Sequence, residues 1–229
     1  MDIMDDTILI FDLDDTLYKE IDFLKSAFRE IASKIGSRIV VDNELILSEM
    51  IDNYYKGLNV FEIIFDKYPI NDFCKKDLIL IYRNHIPQIG LKPNYRKLLT
   101  ELKQKVFKTG LITDGRSIQQ RNKLLALGLS EFFDDIIISE EFGSEKPNIE
   151  NFKYFVNKYG ENVNYIYVGD NVKKDFIIPN QLGWNSICLL DNGTNIHKQD
   201  FKMEIDFLPK FFIRELTEIQ NIFKKLNNV

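Results

Sequence analysis

Acidic side chains follow the first apolar run of this sequence, residues 8–11. Asp12 and Asp14 are two positions apart there, so both carboxylates can project from one loop at a strand end. Unpaired carboxylates gathered in this way repel each other and raise each other's pKa. A divalent cation relieves the repulsion, and carboxylate oxygens suit magnesium. The alternative interpretation is an acidic turn that only ends a strand.

A second cluster combines a hydroxyl, glycine and basic side chain, again after an apolar run. It reads Thr113, Asp114, Gly115, Arg116 and Ser117. A hydroxyl and exposed backbone amides at a helix start can hold an anion such as phosphate. The same residues also make an ordinary turn and helix cap, so this cluster alone does not decide between the two.

Two later clusters add a lysine and further acids. Lys146 stands before Pro147, a residue that suits the first turn of a helix, and it could neutralise phosphate charge there. A lone lysine is more often a solvated surface charge. Asp170 ends another apolar run and Asp175 follows it, although helix capping also explains either acid. Chance turns would poorly explain why all four clusters fall at the same edge of one sheet.

The elements that position these clusters alternate between short apolar runs and helical periodicity. This alternation predicts an α/β fold whose core is a doubly wound parallel sheet. The predicted strands are 7–13, 106–113, 135–139, 165–169, 186–190 and 210–213. The predicted helices between and after them are 95–105, 118–127, 149–159, 174–182 and 215–226.

One long segment breaks the alternation and predicts an all-helical insertion. Phe23, Ala27, Ile31 and Ile35 recur every fourth residue, and further helices are predicted at 43–55, 60–67 and 71–83. The predicted domains are therefore a core of residues 1–18 and 91–229 and a helical cap of residues 19–90. Ligands of open α/β sheets bind at the carboxyl ends of strands, so an insertion after the first strand would cover the site.

Composition favours a cytoplasmic protein that binds a small molecule. The 229 residues are 45% hydrophobic and 28% charged, with a net charge of −5 and no long basic run. A nucleic-acid partner is therefore not expected. No apolar stretch is long enough to span a membrane, and the first residues lack a signal-peptide pattern. Cys74 and Cys188 have no metal-ligand spacing and are expected to be free thiols. The oligomeric state is not readable.

The four clusters together resemble the haloacid dehalogenase superfamily of phosphohydrolases. Its four motifs occur in order, and a longer run from Thr113 through Gln120 and Lys123 to Lys146–Pro147 resembles the branch with a helical cap. The resemblance covers roughly residues 7–17 and 95–190 and implies a Rossmann-like core with an inserted cap domain. For the cap itself it is only topological.

The resemblance implies a Mg²⁺-dependent phosphatase acting on a small phosphorylated metabolite through an aspartyl-phosphate. Asp12 would be the nucleophile, and Asp14 would protonate the leaving group and then activate water. Thr113 would donate to the phosphoryl group, helped by backbone amides that include Asp114 and Gly115. Lys146 would hold the nucleophile and the phosphate together.

The resemblance also implies a metal site and possible substrate contacts. Mg²⁺ would bind the carboxylates of Asp12 and Asp170 and the carbonyl oxygen of Asp14. Asp175 would act from outside the direct ligands, on Lys146 or on a metal-bound water. Further candidates for phosphate or substrate contact flank the catalytic loops: Thr16, Tyr18, Lys19 and Arg116.

Three questions stay open at the level of sequence. Relatives commonly carry Asn where this chain has Asp114, which could orient Arg116 or meet a substrate hydroxyl. A phosphomutase would use the same aspartates and a helical cap. A catalytically idle binding module would lack the nucleophile, the acid or the lysine, and this chain has all three. The motifs do not name the phosphorylated substrate.

Overall fold

A six-stranded parallel sheet forms the centre of the computed structural model, which describes residues 4–68 and 74–227. Its strand order is β3-β2-β1-β4-β5-β6, and every neighbouring pair is parallel. The strands are β1 (Met4–Phe11), β2 (Val106–Thr113), β3 (Asp135–Ile138), β4 (Asn164–Gly169), β5 (Asn185–Leu189) and β6 (Phe211–Ile213). The predicted doubly wound α/β class is confirmed.

The sheet is covered on both faces, which explains why its strands read as continuous apolar runs. In β1, Leu9 and Phe11 pack into one apolar cluster while Ile8 and Ile10 pack into another. Side chains of a strand alternate between the two faces of the sheet, so a strand without polar residues must be buried on both faces. All four side chains are fully buried.

Helices on the two faces supply the rest of these clusters. Leu98 and Leu124 belong to the cluster of Leu9, and Phe152 and Ile178 belong to that of Ile8. The helices after the helical segment are α5 (Pro93–Lys103), α6 (Ser117–Leu127), α7 (Ser139–Phe142), α8 (Ile149–Tyr159), α9 (Ile177–Gln181) and α10 (Ile219–Asn227). No helix among the described residues has the length and apolarity that crossing a membrane would need.

Between β1 and α5 the described chain forms four helices with an apolar cluster of their own. Ile31 and Ile35 lie in this cluster, and the predicted stripe that includes them is buried throughout. The helices are α1 (Glu20–Ile39), α2 (Asn43–Tyr55), α3 (Val60–Lys67) and α4 (Lys75–Asn84). The predicted start of the last helix, residues 71–73, lies outside the described residues. The limits 19–90 of a cap domain stay a prediction.

One predicted helix, 174–182, is shorter in the structure because of a proline. Helix α9 begins only at Ile177, which puts Pro179 in its first turn. Proline has no N–H to donate and clashes with the carbonyl four residues earlier, so a helix starting at residue 174 would be broken there. The carboxylate of Asp175 instead accepts the backbone N–H groups of Asp170 and Asn171, at 3.1 and 2.8 Å.

Candidate active site

The predicted clusters converge on one cavity at the carboxyl ends of β1, β2 and β4. The cavity has a volume of about 120 Å³. Six of the predicted site residues line it, and five residues without a predicted role join them. The first group is Asp12, Asp14, Thr113, Asp114, Lys146 and Asp170, and the second is Asp15, Glu20, Asn171, Lys174 and His197.

Asp12 lies immediately after the last residue of β1 with its carboxylate buried. Its backbone N–H donates to the carbonyl of Val168 at 2.8 Å, which extends the sheet by one residue. The Oδ1 atom accepts from Lys146 Nζ at 2.6 Å, and Thr16 Oγ1 donates to Oδ2 at 3.4 Å. Burial raises the pKa of Asp12 to about 7 although Lys146 opposes that rise. Burial thus disfavours the ionised form of Asp12 even with the Lys146 ammonium beside it.

Lys146 is the centre of a buried network that joins three loops. Besides Asp12, its Nζ donates to Asp175 Oδ1 at 2.7 Å and to the hydroxyl of Tyr167 at 3.1 Å. Burial works against the charged form, but Asp12 and Asp175 raise the pKa of Lys146 well above its usual value. A permanently charged ammonium is thus fixed beside the carboxylate of Asp12.

Asp175 reaches this network only because residue 169 has no side chain. A Cβ on Gly169 would lie 2.4 Å from Asp175 Oδ2. The Asp175 carboxylate is fully buried and accepts hydrogen bonds through both oxygens, which leaves it in a supporting position. This arrangement fits the predicted role of Asp175 outside the direct metal ligands.

Asp12, Asp170 and Asp175 form a buried acidic cluster suited to a divalent metal. One carboxylate oxygen of each lies within 4.8 Å of the others. Burial, together with the charges of Asp12 and Asp175, raises the pKa of Asp170 to about 9. Burial and mutual repulsion disfavour the ionised forms of these carboxylates, and a hard divalent cation would stabilise them. Asn195 Nδ2 donates to Asp170 Oδ2 at 2.8 Å and orients it.

Asp14 is held by groups from helix α6 that the sequence did not point out as functional. Lys123 Nζ donates to both of its carboxylate oxygens, at 2.7 and 2.8 Å. Gln120 Nε2 donates to Oδ2 at 3.2 Å, and the hydroxyl of Tyr18 makes a very short hydrogen bond to Oδ1. The Lys123 side chain is fully buried, and its ammonium also lies over the ring of Phe23. These contacts fix the carboxylate at the cavity wall.

The hydroxyl of Thr113 is the clearest sign of an anion site. It is buried, lines the cavity, and has no hydrogen-bond partner in the described chain. Buried polar groups are nearly always satisfied, so a donor left open beside Lys146 fits a ligand oxygen in the cavity. A phosphoryl group supplies such an oxygen.

Asp114 does not contact Arg116, one of its two predicted partners, and instead holds the loop that carries Lys146. Its Oδ1 accepts from the backbone N–H of Lys146 at 3.0 Å, and its Oδ2 accepts from Lys174 Nζ at 2.8 Å. Arg116 pairs with Glu140 at 2.5 Å. The additional negative charge at this position is therefore neutralised by Lys174.

Five of the predicted substrate or phosphate contacts do not line the cavity: Thr16, Tyr18, Lys19, Gly115 and Arg116. The hydroxyls of Thr16 and Tyr18 donate to Asp12 and Asp14, respectively. The backbone N–H of Gly115 donates to Ser139 Oγ at 2.9 Å, and Arg116 is exposed on Glu140. Lys19 donates to Asn195 Oδ1 at 2.5 Å and borders a separate, smaller cavity. Substrate or phosphate contacts from these five residues stay a prediction.

Sequence reasoning missed the residues that act through tertiary contacts. Glu20 starts helix α1 and its carboxylate lines the cavity. Asp15 adopts a positive φ of 57° and accepts the backbone N–H groups of Glu20 and Ile196. A signal did exist for Gln120 and Lys123, since residues three apart share one face of a helix. Nothing in the sequence indicated that this face meets Asp14.

Comparisons with known proteins agree with this geometry. A sequence profile of the haloacid dehalogenase-like hydrolase family matches residues 9–188. The chain is 35% identical to a glyceraldehyde 3-phosphate phosphatase of Methanocaldococcus jannaschii, with 95% of this chain and 97% of that protein covered. A protein of the same name from Methanothermobacter thermautotrophicus is 28% identical, with 93% and 98% covered.

A solved structure shows the same fold over the whole length. The crystal structure of a phosphatase from Thermococcus onnurineus superposes with a TM-score of 0.59 and 20% sequence identity. The superposition covers 95% of this chain and 97% of the other. At this identity the likeness shows the fold alone, and the active-site assignments rest on the contacts described above.

Proposed function

This chain belongs to the haloacid dehalogenase-like hydrolase family and is a phosphatase for a small phosphorylated metabolite, and we propose that it works through an aspartyl-phosphate on Asp12. The observation that carries the proposal is the joint placement of three groups in one cavity. A buried carboxylate, a charged lysine at 2.6 Å from it and an unpartnered hydroxyl line the same space. This set supplies a nucleophile and two groups that bind phosphoryl oxygens.

In the first step Asp12 attacks phosphorus and the ester oxygen departs. Lys146 and Thr113 offset the negative charge of the phosphoryl oxygens, while Asp175 and Tyr167 hold the ammonium in place. Asp14, which must first take up a proton from solvent, gives it to the departing oxygen, so that the leaving group departs as an alcohol. Phosphoryl transfer passes through a loose transition state, and positioning and charge stabilisation then supply most of the catalysis.

In the second step the same acid works in reverse. Asp14, now a carboxylate, takes a proton from a water molecule that attacks the phosphorus and releases phosphate from Asp12. Lys123, Gln120 and Tyr18 keep Asp14 at the cavity wall for both steps. The two half-reactions thus share one proton carrier.

We assign Mg²⁺ to the acidic cluster. The carboxylates of Asp12 and Asp170 and the backbone carbonyl of Asp14 would hold it, and when bound it would offset charge between nucleophile and phosphate. The high pKa values of Asp12 and Asp170 support this assignment, because a divalent cation would stabilise the ionised forms that burial disfavours. Asp175 is already bonded through both oxygens and stays outside the ligand set.

Glyceraldehyde 3-phosphate is the substrate that we propose. Two full-length relatives carry that activity in their names. The cavity of about 120 Å³ suits a phosphoryl group with a short carbon chain. Pockets for larger ligands are roughly 300–1,000 Å³. Helices α1 to α4 would act as the cap, and two free cysteines support a cytoplasmic location.

The test is phosphate release from a panel of phosphomonoesters by purified protein, with Mg²⁺ and with excess chelator. We expect release that requires the metal and is fastest for glyceraldehyde 3-phosphate. Thr113→Val, which removes only the hydroxyl, should lower kcat/KM by roughly 10²-fold. Chelator-resistant release, or none from any compound with the protein folded, would contradict the proposal.

A further inference from the structure

Glu20 is a cavity residue that phosphoryl transfer does not use. The nucleophile, the proton carrier, the phosphate contacts and the metal ligands are already accounted for by Asp12, Asp14, Thr113, Lys146 and Asp170. Glu20 lines the same cavity from the helical segment. It is the first residue of α1, the helix that follows the loop of Asp12 and Asp14.

The position of Glu20 is fixed by its backbone. The carboxylate of Asp15 accepts the Glu20 N–H at 3.0 Å, and the other oxygen of Asp15 accepts the N–H of Ile196 at 2.9 Å. The Glu20 side chain is 21% exposed, and its oxygen lies 3.7 Å from Lys123 Nζ. Among the described residues the Glu20 carboxyl has no closer polar partner, so its oxygens are open to a ligand in the cavity.

The charges around the cavity decide which leaving group fits. Each lysine near it is already matched with acids: Lys146 with Asp12 and Asp175, Lys174 with Asp114, and Lys123 with Asp14. Lys123 is also fully buried and cannot reach a substrate. His197 is the other basic residue lining the cavity.

A second anionic group on the substrate would therefore enter without an unpaired lysine to bind it. Taking a carboxylate out of water unpaired is costly, and the cavity wall adds like charges. A hydroxyl or aldehyde instead finds a partner in Glu20. Burial and the neighbouring Asp14 raise the pKa of Glu20 to about 8. The side chain can donate to an aldehyde oxygen when it is protonated and accept from a hydroxyl when it is ionised.

We propose that Glu20 selects phosphomonoesters whose leaving group is uncharged and carries a hydroxyl or aldehyde, and that the cavity rejects those with a second anionic group. This inference rests on the proposed phosphatase function and narrows its substrate class. It also disfavours bisphosphates, on which a phosphomutase would depend.

Matched substrate pairs test the inference because the members of each pair differ only at one carbon, which is an uncharged aldehyde in one and a carboxylate in the other. One pair is glyceraldehyde 3-phosphate and 3-phosphoglycerate, and the other is glycolaldehyde phosphate and phosphoglycolate. We expect the wild-type kcat/KM to favour the uncharged member of each pair by about 100-fold or more. Glu20→Lys should narrow this ratio by at least about tenfold.

Two further variants separate recognition from a general loss of structure. Glu20→Ala should lower kcat/KM for glyceraldehyde 3-phosphate by about tenfold, mainly through KM, and by a smaller factor for p-nitrophenyl phosphate. Glu30→Lys is the control, because Glu30 lies on the same helix, is exposed beside Lys34 and borders a different cavity. It should leave the substrate ratio unchanged.

The outcomes distinguish failure of the inference from failure of the function. Equal wild-type activity on both members of each pair, or an unchanged ratio in Glu20→Lys and Glu20→Ala, would overturn the inference while the phosphatase stands. A preference for the carboxylate-bearing members would overturn it as well. No phosphate release from any of the four compounds would overturn the proposed function and the inference with it.

Discussion

Replacing Lys123 by methionine tests whether the buried lysine positions the proton carrier. Lys123 Nζ contacts both oxygens of Asp14, at 2.7 and 2.8 Å, and the lysine side chain is fully buried. Methionine fills similar space without the charge. The change therefore removes the ion pair and the contact of the ammonium with the Phe23 ring, and keeps most of the side-chain volume.

The expected loss of stability in Lys123→Met depends on which hydrogen bonds Asp14 retains. Removing one partner of a buried ion pair costs about 3–5 kcal/mol. Asp14 is 18% exposed and retains Tyr18 and Gln120 as donors. We therefore expect a loss in the free energy of unfolding of about 2–3 kcal/mol. For a chain of this length that lowers Tm by roughly 4–12 °C. An acid that is no longer oriented should cost about 10²–10⁴ in kcat.

The assay compares kcat, KM and Tm of Lys123→Met with those of two other variants. Lys123→Arg keeps the charge and should recover part of kcat. Lys97→Met is the control, because Lys97 is 80% exposed and lies 4.0 Å from Glu101. The loss in Lys123→Met should be larger for an alkyl phosphate than for p-nitrophenyl phosphate, whose leaving group needs no proton. A kcat within about threefold of wild type, despite the lower Tm, would refute the positioning role.

Three further predictions concern the nucleophile, the metal and the sheet. Asp12→Asn should abolish turnover and leave Tm at pH 8 at or above that of the metal-free wild type. Folding raises the pKa of Asp12 from 3.8 to about 7, so the wild-type protein loses stability as the pH rises from about 4 to about 7. A Tm of Asp12→Asn below that of the metal-free wild type would contradict this. Mg²⁺ affinity, measured by calorimetry, should rise from pH 6 to pH 9, because Asp12 and Asp170 must release protons; a flat profile would contradict the ligand assignment. Gly110→Ala should lower stability by about 1–3 kcal/mol, since its Cβ would lie 2.4 Å from the Phe155 ring; unchanged thermal unfolding would contradict that close packing.

The fold was predictable because the apolar runs in the sequence coincide with the strands that are buried in the structure. The run from Ile8 to Phe11 is buried on both faces, so its apolar composition alone identifies a central strand. The helix predicted at 174–182 was too long, because periodicity does not register that Pro179 must lie in a first turn. Its position in the chain was correct, and only its start was wrong.

The candidate site was predictable where motif residues end strands, and not where contacts cross the fold. Asp12, Thr113 and Asp170 follow or end apolar runs, and parallel strands bring those ends together. The contacts of Lys123 with Asp14, and of Glu20 with the cavity, depend on how helices α6 and α1 rotate against the sheet. Packing sets that rotation, and no local spacing in the sequence contains it.

Trapping the phosphorylated enzyme is the most direct test of covalent catalysis by Asp12. Protein mixed with Mg²⁺ and excess glyceraldehyde 3-phosphate would be quenched in acid within one turnover, digested, and examined by mass spectrometry. We predict one added phosphoryl group on the peptide that contains Asp12, absent in Asp12→Asn and lost when the sample is made alkaline. Full turnover with no modified peptide at any quench time, or a phosphoryl group on another residue, would contradict the mechanism.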